Sequence, residues 1–376
     1  MNNIKLELTK TLSGKNPTTK KMVIGFDGFI DEIIHVVDKR LDSEHFTRID
    51  SITALAKRIE KAGGLSTNIE LFPVVKKIGG NGPIMCNSLS KHGSKITYIG
   101  ALGDPTIDDV FRVMDDNVHL HSIANSGHTD ALEFDDGKLL LGKMSSLNDI
   151  TYEKLISSFG KSKLLELLDE TDLFASVNWS MIPHNTELWQ KLLDEILPQM
   201  KIREIKPIFF VDLADPEKRE WSEIVSALDL LKQFRSRFFV VLGLNKKEAY
   251  DVGKVLNLFN RSSLEKMEIS LKELNEALYR RLEVDAVVIH PVDRSSTVIE
   301  GQFYEAMGPF VQKPKLTTGA GDNFNAGFVL GLLLGLKPEE CLLTGMSTSG
   351  YYVRNAKSPT FKELIEFIEE WEKGLV

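Results

Sequence analysis

The chain has 376 residues, room for one large α/β domain or two modest ones. Apolar residues make up 42% and charged residues 27%, an ordinary globular balance that excludes a disordered chain. The net charge of −8, from 54 acidic and 46 basic residues without long runs, argues against a nucleic-acid binder, which needs a basic face.

Read from its start, the chain opens on a polar stretch with no apolar core of the signal-peptide kind, so no export signal is expected there. Apolar runs then recur as buried strands at Met22–Phe26, Ile96–Ile99, Leu173–Val177, Ile208–Val211, Phe238–Leu242 and Ala286–His290. Between them the spacing predicts helices over Asp104–Asp115, Tyr152–Leu168, Asn185–Leu197, Glu217–Phe234 and Ser270–Leu282. Alternating strands and helices imply one doubly wound, mostly parallel sheet in a three-layer α/β/α domain spanning 1–376.

Two regions break the rhythm. Residues 32–80 hold charged segments, a helix over Ile49–Lys61 and a strand over Asn68–Lys77. Residues 129–143 read as a hairpin turning at Asp136-Gly137, a favoured two-residue turn. Together they are expected to form a small β-rich lid, which suits chemistry that excludes water. The apolar stretch Phe324–Leu336 is shorter than the roughly 20 residues a membrane span needs, and reads as a buried helix. A final amphipathic helix is expected over Phe361–Lys373, started by Ser358-Pro359-Thr360. The two cysteines, Cys86 and Cys341, have no metal or disulfide spacing, which fits a reducing, cytoplasmic setting.

The chemistry concentrates in Gly319-Ala320-Gly321-Asp322, directly before the buried helix. Glycines there let consecutive N–H groups converge on one point, and the helix dipole adds positive potential at the same place. A phosphate is the natural occupant, and a carboxylate beside it has a use as the base for an attacking hydroxyl. A glycine turn with an Asp N-cap explains the same residues structurally. Other features carry less. Gly137–Met144 nearly spells a phosphate-binding loop but ends in Met where a hydroxyl is needed. His119 and His121 lack a third ligand nearby. Asn178, Asp212 and Arg219 follow strand ends, where ligands gather in such sheets.

The run TTGAGDNFNAGF resembles the C-terminal motif of the ribokinase-like (PfkB family) carbohydrate kinases. Three further segments match that family in order. These are Val23–Asp31, the glycines from Gly79 through Gly93 to Gly103, and Asn245-Lys246-Lys247-Glu248. The resemblance implies ATP-dependent, magnesium-requiring phosphorylation of a sugar or sugar-derivative alcohol. It makes Asp322 the general base and the N–H groups of Gly319, Ala320 and Gly321 the anion hole. It gives Asn245 and Glu248 the magnesium ion and phosphates, with Asn323 on the nucleotide side. Arg294 is not part of that pattern and reads either as a positive charge for a phosphate in place of the family's glycines or as a solvated turn residue. Asp31, Gly79, Gly80 and Asn81, with Asn178, would contact the acceptor; the spacing from Gly25 favours Asp31 over Asp27. A homodimer through the lid is also implied, with neither nucleic acid nor membrane as partner.

The chain departs from the family pattern at three places. Leu316 stands where an Asp helps hold a monovalent cation, Ile84 where an Asn is usual, and His290–Ser295 where a T-x-G-x-x-G turn is common. A nucleoside kinase or ADP-using relative would use the same catalytic turn, and the departures admit a sugar sensor without turnover.

Overall fold

The computed structural model describes residues 4–114 and 117–376. A nine-stranded sheet is built from β1 (Lys21–Gly25), β5 (Lys95–Ala101), β6 (Val118–Ala124), β9 (Leu173–Ser176), β10 (Ile208–Asp212), β11 (Phe239–Asn245), β12 (Ala286–His290), β13 (Arg294–Ile299) and β14 (Gln302–Met307). Its order is β14-β13-β12-β11-β10-β9-β1-β5-β6; β12 through β6 pair in parallel, while β13 and β14 are antiparallel. All six strands expected from apolar runs lie in this sheet. They are continuous runs because helices cover both faces of the sheet.

One face packs on Leu155, Leu188, Leu228, Tyr250 and Leu278 from helices Tyr152–Phe159, Asn185–Lys191, Trp221–Phe234, Lys246–Val255 and Leu271–Leu282. The other packs on Leu8, Met85, Phe328, Leu342 and Leu364. Three of those residues come from helices the apolar pattern did not reveal, Ile4–Ser13, Asn81–Lys91 and Pro338–Asn355. The buried helix, Ala320–Leu333, lies against Pro338–Asn355 so closely that a Cβ on Gly327 would stand 2.4 Å from Thr348 Oγ1.

Several boundaries differ from expectation for local reasons. The helix expected over Tyr152–Leu168 is two, Tyr152–Phe159 and Lys161–Glu170, broken at Gly160 with φ 91°. Asp104–Asp115 contains only the short 3₁₀ turn Asp109–Val113, and Asp115 itself lies outside the described residues. The final helix runs Phe361–Glu372, with Thr360 and Glu363 forming a reciprocal cap.

The second sheet combines β2 (Phe29–Arg40), β3 (Phe46–Arg48), β4 (Leu71–Gly79), β7 (Gly127–Phe134) and β8 (Gly137–Lys143). Helix Ile52–Glu60 covers its small core of Ile34, Val36, Ile49, Leu55, Leu132 and Phe134. The hairpin β7–β8 turns at Asp135 and Asp136, with Phe134 facing Gly137. The near-loop Gly137–Met144 is thereby mostly strand, without the strand-loop-helix a phosphate-binding loop requires. Strand β2 escaped the sequence reading. Its apolar residues 29, 30, 33, 34, 36 and 37 are spaced like a helix face, and a β-bulge at Ile33/Ile34 shifts the strand's register.

Among the described residues no helix is long and apolar enough to cross a membrane.

Candidate active site

The parallel strands all end on one edge of the sheet, and their last residues or immediate successors converge there. Strand β1 leads to Asp27, β9 to Asn178, β10 ends in Asp212, β11 in Asn245 and β12 in His290. This is the edge where open α/β sheets bind ligands. The glycine turn enters the same region.

Gly319 has φ 88°, a left-handed conformation that favours glycine, and a Cβ there would lie 2.9 Å from the Tyr352 hydroxyl. Of the three N–H groups expected to form the anion hole, that of Ala320 is engaged by the Thr317 carbonyl at 3.1 Å. The Gly319 and Gly321 N–H groups make no hydrogen bond among the described residues, so they are the open donors of the turn. Asn323 does not face a ligand. Its Nδ2 donates to the Gly319 carbonyl at 2.9 Å and its Oδ1 accepts from Ser358 Oγ at 2.7 Å, which fastens the turn from behind.

Asp322 follows on the first turn of the helix and is only 8% exposed. Its Oδ1 accepts from Asn81 Nδ2 at 2.9 Å, joining the glycine turn to the Gly79-Gly80-Asn81 segment 241 residues away in sequence. Burial pushes its carboxyl well above the usual carboxylate range, and the charges of Asp27 and Glu248 act in the same direction.

Asp27, set aside in favour of Asp31 by spacing, is the carboxylate around which this half of the site is assembled. It is fully buried and accepts from the Gly82 N–H at 2.9 Å and from Asn178 Nδ2 at 2.7 Å. The Tyr98 hydroxyl donates to its carbonyl at 2.6 Å. Gly82 lies in the first turn of helix Asn81–Lys91, so Asp27 caps the helix that presents Asn81 to Asp322. Burial pushes its pKa up to about 6, against the hydrogen bonds that favour the ion. Asn178, with φ 61°, spends its amide on Asp27 while its Oδ1 is buried without a partner. The missed signal was position: Asp27 stands directly past the end of β1.

Asp31 sits on β2, opposite Lys77 of β4, and lines a cavity with Ile84, Thr318, Tyr352 and Lys77. Its carboxylate fills the space above Gly79, where a Cβ would come within 2.2 Å of it. Gly80 precedes the helix with φ 89° and lies against Asp27. Asp31, Gly79, Gly80 and Asn81 thus border one region, with Asp31 on the lid side and Asn81 beside Asp322.

On the other side of the turn a slot of about 340 Å³ is lined by Asn245, His290, Pro291, Phe310, Gly321 and Val353, among others. Asn245 and Glu248 cap helix Lys246–Val255 reciprocally: Asn245 Oδ1 accepts from the Glu248 N–H and Glu248 Oε2 from the Asn245 N–H, both at 2.9 Å. Glu248 Oε1 also accepts from the Asp215 N–H at 3.0 Å. Asp212 accepts from Asn325 Nδ2 at 2.7 Å. Burial pushes Asp212 well above its usual range, and the charges of Glu248 and Asp322 add to the effect. Three mutually repelling buried carboxylates at one edge are the environment a divalent cation relieves, so the donor set fits Mg²⁺ bound through water.

Arg294 lies apart from this slot, pairing with Asp293 at 3.2 Å and Glu305 at 3.8 Å around a neighbouring surface pocket. Arg219 reaches the carbonyls of Ile182 and Pro183 and stacks on Trp179, a tie between loops. One grouping of metal-ligating type occurs among the described residues, Glu32, His128 and Asp130 on the lid, and it includes neither His119 nor His121.

A family model described as prokaryotic ketohexokinase matches residues 8–371. A ketohexokinase of Haloferax volcanii is 26% identical over 353 residues, covering 92% of this chain and 90% of that protein. Ribokinase of Arabidopsis thaliana, solved with ribose and ATP, superposes with TM-score 0.61 at 16% identity, covering 94% of this chain and 99% of that one. Adenosine kinase of Sinorhizobium meliloti does so with TM-score 0.62, also at 16% identity and with the same coverage. These two likenesses establish the ribokinase fold.

Proposed function

This chain belongs to the prokaryotic ketohexokinase family, and from that membership we propose that it transfers the γ-phosphoryl group of ATP to a hydroxyl of a ketohexose. It is a carbohydrate kinase of the ribokinase type. The observation that carries the proposed chemistry is the contact of Asn81 Nδ2 with Asp322 Oδ1 at 2.9 Å. It sets a buried carboxylate between the acceptor-side segment and a turn with two open N–H donors.

In this scheme Asp322 accepts the proton of the attacking hydroxyl, and the Gly319 and Gly321 N–H groups stabilise the charge that develops on the transferred phosphoryl oxygens. Asn81 orients Asp322, while Asp27 holds the helix that carries Asn81. Asp31, packed over Gly79, would border the sugar from the lid-side cavity, with Gly80 held against Asp27 beside it, and the apolar slot beside Gly321 would take the nucleotide. Glu248 and Asp212 would hold Mg²⁺ through water, and the ion would supply neutralisation of the donor phosphates. The small sheet, closing over Asp31, would exclude water from the transfer. A homodimer through that sheet is supported by the exposed Val74, Val75, Leu140 and Leu141 on its strands.

The test is a coupled assay of ADP release over fructose and other ketohexoses, aldoses, ribose and adenosine. Turnover with a ketohexose is expected. Preference for adenosine would make the protein a nucleoside kinase, and sugar binding without turnover would make it a sensor.

Two further outcomes follow from particular residues. Asp322 must be ionised to act as base, and burial raises its pKa, so kcat/KM should climb with pH as that proton leaves, with the midpoint above the ordinary carboxylate range. A profile already flat from about pH 5 upward would remove Asp322 from the role. Leu316 offers no carboxylate to a monovalent cation. Exchanging potassium for sodium or a bulky organic cation at constant ionic strength should therefore leave turnover unchanged; clear potassium activation would contradict this.

A further inference from the structure

The peptide that carries the Gly319 N–H has a tether that none of the roles above uses. Tyr352, in the last turn of helix Pro338–Asn355, donates its hydroxyl to the Thr318 carbonyl at 2.8 Å. The Thr318 carbonyl and the Gly319 N–H belong to one peptide unit. That unit is planar and trans, so the two groups point in opposite directions. Holding the carbonyl toward Tyr352 therefore aims the N–H away from it.

Resting on the kinase reading, we propose that Tyr352 is a positioning residue of the transfer step, whose hydroxyl fixes the Thr318-Gly319 peptide so that the Gly319 N–H faces the transferred phosphoryl group. Four observations converge on this role. Gly319 lies at φ 88° and has no side chain to resist a flip of the peptide before it, so the choice of orientation comes from outside. The peptide after Gly319 is already held. Asn323 Nδ2 donates to the Gly319 carbonyl at 2.9 Å and the Ala320 N–H to the Thr317 carbonyl at 3.1 Å, which leaves the preceding peptide for Tyr352 to tie. The anchor itself is fixed: Tyr352 is buried, and the next carbonyl on its helix, that of Val353, accepts from the Lys315 N–H at 2.8 Å. Burial, followed by the charges of Asp322 and Asp31, pushes the phenol far above its usual pKa, so it keeps its proton and donates. A carbonyl that accepts a hydrogen bond also polarises its own amide, which strengthens the Gly319 N–H as a donor.

Two variants separate this role from packing. Tyr352→Phe deletes only the hydroxyl and keeps the ring. Tyr351→Phe, the control, removes the neighbouring hydroxyl that donates to Glu363. Both are assayed for kcat, KM for ATP, KM for the sugar and the thermal midpoint. Binding of Mg-ADP with aluminium fluoride in the presence of sugar adds the affinity for a mimic of the phosphoryl group in transfer. Deleting an anion-hole donor outright costs roughly 10²–10³-fold in kcat, and a donor left in place but free to turn should cost about tenfold or more. Tyr352→Phe should lose that factor both in kcat and in affinity for the mimic, with both KM values and the affinity for Mg-ADP alone unchanged. Tyr351→Phe should match the wild type in kcat and mimic binding. Wild-type kcat and mimic binding in Tyr352→Phe, even with a lowered midpoint, would overturn the role and leave the bond structural. Equal kcat losses in both variants would overturn it in favour of helix packing. A rise in sugar KM at unchanged kcat would overturn it in favour of the cavity wall that Tyr352 shares with Asp31 and Ile84. Absence of turnover by the wild-type protein with every acceptor would sink the kinase reading itself, and the Tyr352 role with it.

Discussion

Replacing Asp322 with Asn should lower kcat by roughly 10²–10⁴-fold, the usual contribution of a positioned general base, while ATP and sugar still bind. The substitution is nearly isosteric, and the new amide oxygen can still accept from Asn81 Nδ2, as Asp322 Oδ1 does at 2.9 Å. The fold therefore has no reason to suffer. Removing a buried carboxylate whose ionisation is opposed by burial and by Asp27 and Glu248 should, if anything, raise the thermal midpoint. A slow, stable enzyme with unchanged nucleotide affinity is the expected result. It is read from steady-state ADP release, calorimetry and thermal unfolding on one preparation. Turnover near the wild-type rate would show that another group takes the proton.

Replacing Asp27 with Ala should damage both stability and activity, and for one reason. The carboxylate accepts from the Gly82 N–H and from Asn178 Nδ2 in a region closed to water. Each donor left unpaired costs about 1–3 kcal/mol, so the loss should be several kcal/mol in total. The same change frees the start of helix Asn81–Lys91, and Asn81 is the residue that orients Asp322. A displacement of about 1 Å at a reacting group costs on the order of 100-fold in rate, and kcat/KM should fall by at least that. Asp31→Ala is the control. Asp31 lies on β2 beside the lid cavity, so its loss should act on sugar KM and leave the thermal midpoint in place. If Asp31→Ala instead abolished turnover and Asp27→Ala left it intact, the order of importance assigned to the two carboxylates would be reversed.

The Asp27–Asp31 choice also marks how far the sequence could be read. The strand-helix alternation, the six apolar strands and the glycine turn before a buried helix were all legible, because each is a local pattern set by burial on both faces of a parallel sheet. The motif order led to the ribokinase fold, and the superpositions establish it. The lid strand β2 was not legible, since a bulge breaks the two-residue period on which strand recognition depends. Nor were the roles of neighbouring polar residues. Asn323 adjoins the turn in sequence yet fastens it from behind, and Arg294, four residues past His290, turns to Asp293 and Glu305.

What the residues determined by themselves was the set of elements and the turn that ends in Asp322. The tertiary structure decided which carboxylates meet. Asn81 reaches Asp322 across 241 residues, Asp27 reaches Asn178 across 151, and Asp212 reaches Asn325 across 113. Periodicity reports only which face of an element is apolar. A buried hydrogen bond between distant strand ends depends on sheet order and register, and no local pattern encodes those.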